Sequence, residues 1–125
     1  MNPGHRTLHL ALCALLSQAA LAADTAAERD PSDMTVEERT AIMQRMGDYN
    51  SCVYKESMAR VDQLPDIRQA ADEGMAACQA SLDKMGETIA GFNFSEAFAE
   101  QFRHLAQSRA AKMVIPELSL RKGSQ

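Results

Sequence analysis

The sequence predicts an all-α fold: a small three-helix domain built on an antiparallel helical hairpin that a disulfide staples. Three observations predict it. Apolar residues recur at helical spacing in three successive segments, and no strand-like alternation of any length appears. A secretory leader opens the chain. Once that leader is removed, only Cys52 and Cys78 remain as cysteines.

The leader comes first because it sets the redox compartment. "MNPGHRTLHLALCALLSQAALAA" has Arg6 in a short polar lead, an apolar run from about Leu8 to Ala20, and the small-residue site Ala20-Leu21-Ala22. The run is shorter than the ~20 apolar residues a spanning helix needs. Cys13 follows Leu12, where a lipidation site wants a small residue, so no lipid anchor is expected there. Residues 1–22 are read as a cleaved signal peptide, which places the protein in the periplasm or outside the cell, with no membrane insertion after cleavage. The remaining 103 residues suit one domain. They hold 12 basic against 17 acidic side chains, a balance that argues against nucleic acid and against anionic membrane surfaces.

Residues 23–34, "ADTAAERDPSDM", are small, polar and acidic, and read as a disordered linker. The folded domain is expected over residues 35–116. It opens at "TVEE", where Thr35 and Glu38 have the spacing of a capping box. The first helix covers about 36–61. One face carries Ile42, Met46, Tyr49, Cys52 and Val53, and an adjoining face carries Met43, Asn50, Tyr54, Met58 and Val61. Two adjoining apolar faces imply two packing partners. Gly47 inside this helix weakens it by about 1 kcal/mol relative to Ala.

Pro65 marks the turn. A second helix over about 66–90 carries Ile67, Ala71, Met75, Cys78, Leu82, Met85 and Ile89, the spacing of a single packed seam. Gly91 is expected to cap its end. A third helix over about 94–115 starts at Asn93 or Ser95. It shows Phe94, Phe98 and Phe102 at successive turns, then Leu105 or Ala106, Ala110 and Met113. This stripe is read as core rather than as a membrane-contacting face, because its polar side mixes both charge signs. Pro116 is expected to end the helix and to leave 117–125 as a flexible tail.

The staple follows from counting. Cys52 lies thirteen residues before Pro65 and Cys78 thirteen after it, and both sit on stripes that must face each other. In an antiparallel hairpin they are level and facing, which suits a disulfide with Cα atoms about 5.5–6 Å apart. A redox CxxC is missing, no cation on the stripe activates a thiol, and two thiolates with one distant His104 leave a zinc tetrahedron short of a ligand. The same counting sets Ile42 opposite Ile89 and Met46 opposite Met85.

Other residues carry sharper alternatives. Met43, Met46 and Met85 would form a three-sulfur cluster suited to Cu(I) if they converged, although methionine at such positions commonly fills core gaps. His104, beside Arg103 and near Glu100, is the one histidine left after leader removal and could act as a base or pH sensor. Hydrolytic sets would need His104 with Ser81, Ser95 or Ser108, and no nucleophile elbow flanks these serines. In outline the chain resembles the small exported helical bacterial proteins with one disulfide, among them acid-stress chaperones and immunity proteins; the resemblance carries over no residues. The expected function is binding through contact with another cell-envelope protein, as an inhibitor, immunity or chaperone-like protein. No cofactor and no catalysis are expected. Soft-metal binding is the alternative, and a small enzyme the second alternative.

Overall fold

A computed structural model describes residues 27–125, and the expected leader, residues 1–22, with its expected cleavage site, lies outside them. The described residues form an all-α domain. A 3-10 turn at Pro31–Asp33 precedes α1 (Val36–Arg60), α2 (Ile67–Ala77), α3 (Gln79–Gly91) and α4 (Glu96–Gly123). α2 and α3 follow one another as a single interrupted rod. The packing is therefore that of three rods, with α1 antiparallel to the α2–α3 rod and parallel to α4.

Each start is set by the local sequence. Thr35 Oγ1 accepts from the Glu38 amide at 3.2 Å while Glu38 Oε2 accepts from the Thr35 amide at 2.9 Å, so the capping box forms. Asp66 caps α2 by accepting from the Arg68 amide at 2.8 Å. Ser95 caps α4 by accepting from the Phe98 amide at 3.1 Å.

The hairpin is stapled as counted: Cys52 and Cys78 are bonded, with Cα atoms 5.9 Å apart. Ile42, Met46, Tyr49 and Val53 of α1 meet Cys78, Leu82, Met85 and Ile89 in one buried core. Near the turn the two rods approach through small residues. A Cβ added to Gly74 would lie 2.9 Å from the Ser57 backbone nitrogen, so only glycine permits this crossing.

Five expectations need correction. The second helix is not continuous over 66–90. Cys78 leaves helical geometry (φ −100°, ψ 13°), and its amide turns to the Met75 carbonyl at 3.1 Å. The half-cystine therefore sits at a one-residue break. Gly91 is the last residue of α3 rather than its left-handed cap, and Asn93 takes the left-handed conformation instead (φ 64°). Asparagine tolerates that region because its short amide bonds locally; here it donates to the Ala27 carbonyl at 2.7 Å.

Pro116 does not end α4. The helix runs through it to Gly123. Pro116 is on the exposed side, and the packing beyond it outweighs one lost backbone bond: Leu118 is fully buried, Arg121 pairs with Asp62 at 2.9 Å, and Lys122 Nζ donates to the carbonyls of Val61 and Leu64. Residues 117–125 are thus docked against the end of α1 rather than a flexible tail. The part of 23–34 within the described residues is also not a disordered linker. Arg29 holds it down with bonds to Glu38 at 2.5 Å, to the Asp33 carbonyl at 2.9 Å and to the Phe92 carbonyl at 3.2 Å. Its guanidinium also stacks 4.9 Å over the Phe94 ring. Residues 23–26 lie outside the described part.

Finally, the face of α4 that enters the core is not the phenylalanine stripe. Ala99, Ala106, Ala110, Val114 and Leu118 are buried, because small residues let the third rod approach the other two closely. Phe94 is buried, but Phe98 and Phe102 are only partly so, and Met113 is 39% exposed.

Candidate functional site

The phenylalanines that the core leaves half-exposed build the wall of a groove. These are Phe98 and Phe102 of α4, with ring centroids 5.1 Å apart, and Phe98 also packs at 5.3 Å on the buried Phe94 that precedes the helix. Across from them stands α1 with Arg39 and Met43. The Arg29 strap brings Pro31 and Met34 over the end, and Leu105 and Arg109 complete the lining. The result is an open groove of about 370 Å³, mostly apolar in its walls.

The two arginines set its electrostatics. Arg29, Arg45, Arg60, Arg103 and Arg121 each hold a carboxylate. Arg39, Arg68 and Arg109 hold none among the described residues, and two of those three line the groove. Arg109 instead donates to the Met46 sulfur at 3.4 Å, a weak acceptor. A net-acidic chain thus keeps two uncommitted guanidinium groups beside an apolar trough. Chemically the site can hold an apolar body that carries a carboxylate. The Arg29 strap that closes one end is itself electrostatic: Arg29, then the Thr35 amide, holds the Glu38 carboxyl below the usual carboxylate range.

Comparison with known protein families, characterised proteins and solved structures gives no match.

The residues singled out in the sequence fall as follows. Cys52 and Cys78 are a cystine and carry no free thiol. The methionine trio separates: Met46 and Met85 are buried in the core, whereas Met43 is 44% exposed and faces the groove beside Met34. The sulfur pair that does share a site is therefore Met34 and Met43. His104 has a side chain 72% exposed and lies 3.2 Å from Glu100. Its neighbour Arg103 turns away, over Gly86, and pairs with Glu96 and Glu100. Ser95 Oγ is occupied as a helix cap. Among the described residues, no group of three or more His, Cys, Asp or Glu side chains could hold a metal ion.

The groove itself was not legible in the sequence. Its lining comes from the lead-in, from α1 and from α4, and the residues that matter most, Arg39 and Arg109, look like ordinary surface charges. The available signal was the double apolar face of α1: Met43 belongs to the second face and stays exposed there.

Proposed function

We propose that this is an exported, periplasmic helical binding protein that acts by contact with another cell-envelope protein, taking an apolar segment of that partner in the α1–α4 groove. One observation carries the reading: the open, mostly apolar groove keeps Arg39 and Arg109 without carboxylate partners among the described residues. Met and Phe side chains suit such a role, since flexible thioethers mould to an apolar partner and aromatic residues supply large contact area. Export is supported by the leader and by a formed disulfide, which persists in oxidising compartments. No helix among the described residues is long and apolar enough to cross a membrane.

The test uses affinity capture from periplasmic extract followed by titration of the captured protein, once purified. Met43→Glu places a charge in the groove, and Arg39→Glu reverses a rim charge. Both positions are exposed, so neither variant should change the melting temperature much. Each should weaken binding by roughly tenfold or more, as truncation of a central anchor does. A captured protein that binds wild type and both variants equally would remove the groove from the reading.

A further inference from the structure

From the Leu105 end of the groove onward, the face shared by α1 and α4 is self-complementary, and we infer that it pairs with a second copy of this chain about a two-fold axis. Six large apolar residues are more than a third exposed. All six belong to these two parallel helices, and four of them, Met43 (44%), Tyr54 (41%), Leu105 (40%) and Met113 (39%), lie along their middle. On α1 the seam is Met43, Gly47, Asn50 and Tyr54. On α4 it is Leu105, Arg109, Met113, Pro116 and Leu120. Both seams step by three and four residues, the spacing of a helix face that packs on another helix.

The two seams share one level. Arg109 reaches Met46 and Arg121 reaches Asp62, so Met113 stands about level with Asn50. A two-fold axis crossing the face at that level sets α4 antiparallel to its copy and α1 antiparallel to its copy. It then places Arg109, four residues before Met113, against the second copy's Glu117, four residues after it. Symmetry makes that pair twice. Glu117 is exposed and holds no cation among the described residues.

On α1 the same axis sets Tyr54 against the second copy's Gly47. Gly47 is exposed, and no atom of the described residues lies within 4 Å of where its Cβ would be. Nothing among the described residues requires glycine there, and glycine weakens a helix interior. A notch that receives a tyrosine ring accounts for it. The axis also brings the second copy's Leu120, 69% exposed, level with Ala106 beside Leu105. Four exposed apolar residues and Leu120 are thereby covered. Phe98 lies beyond the reach of the second copy's C-terminus, so the strap end of the groove stays open. The pairing needs no partner from the envelope; it takes up Met43, Leu105 and Arg109 of the groove lining and leaves Arg39 and the strap end free.

Sedimentation equilibrium of the oxidised protein tests it directly. The expected result is a monomer–dimer equilibrium. Arg109→Glu and Glu117→Arg should each raise the dissociation constant by about tenfold or more, because each turns two attractive contacts repulsive. The double exchange Arg109→Glu/Glu117→Arg should restore association. Gly47→Gln improves helix propensity and meets nothing within the chain, so it folds; it should nonetheless block the dimer by filling the notch. A monomer at high micromolar concentration would overturn the inference. So would a dimer indifferent to these substitutions, or a double exchange that fails to restore association.

Discussion

Tyr49 sits in the middle of α1 with its side chain wholly buried and its hydroxyl without a hydrogen-bond partner among the described residues. An unpaired buried polar group costs about 1–3 kcal/mol. Tyr49→Phe keeps the ring and removes the orphan, so urea melts should show unchanged or increased stability, by up to about 2 kcal/mol. Burial also pushes the Tyr49 phenol up. A folded-state pKa above the unfolded one means that the stabilisation is complete below the unfolded value, near 10, and lost as pH rises through the folded value. Wild type should thus lose stability in alkali beyond about pH 10, and Tyr49→Phe should lose less. Gly74 gives the opposite outcome. Its missing Cβ lets α2 lie against the Ser57 backbone, so Gly74→Ala should destabilise by roughly 1–3 kcal/mol through overpacking.

Elements are held by devices at their ends and by one covalent bond between them. The staple closes a separation of 26 residues, and removing it as Cys52→Ala/Cys78→Ala should lower stability by some 2–5 kcal/mol in denaturant melts. Circular dichroism should retain most of the helix signal, because the caps and the apolar periodicity are local. The Arg29 strap has its own pH limit. With Glu38 held below its ordinary value, the strap's contribution is present above the unfolded pKa and lost as pH falls through the depressed one. The protection factor of the Arg29 amide, which donates to the Asn93 carbonyl, should fall as pH drops below the ordinary carboxylate range while the α1 core stays protected. Since Pro31 and Met34 ride on this strap, one wall of the groove should loosen with it.

At the scale of the whole molecule, the end of α4 closes the domain. Leu118 is fully buried two residues past the proline, and the residues after it dock on the turn between α1 and α2. Leu118→Ala should cost about 2–5 kcal/mol, as large-to-small core changes do; a cost near zero would mean that the segment contributes no core. The three-rod packing also explains why a groove exists at all. An Ala-rich face on α4 draws it close to the core, and that close approach rotates Phe98 and Phe102 to the flank. Bulk that would otherwise fill the interior becomes the wall of a binding surface.

The sequence by itself determined the helical class, the capping box at Thr35, the core stripe from Ile67 to Ile89 and the Cys52–Cys78 staple. These are matters of local hydrogen bonding, of periodicity and of symmetric distance from Pro65, all of which operate within a few turns of chain. Only the tertiary structure decided the rest. Pro116 reads as a stop because its local cost is plain, whereas the burial of Leu118 that offsets it depends on where α1 ends. Residues 27–34 read as disordered because their composition is polar, yet Arg29 finds Glu38, Phe92 and Phe94, the last two more than sixty positions away. Met46 and Met85 fill the core as methionines on such stripes commonly do, whereas the alternative of a three-sulfur cluster fails because α4 takes up one face of α1 and leaves Met43 outside it. Long-range burial and pairing energies of this kind exceed local propensity, and no window of sequence contains them.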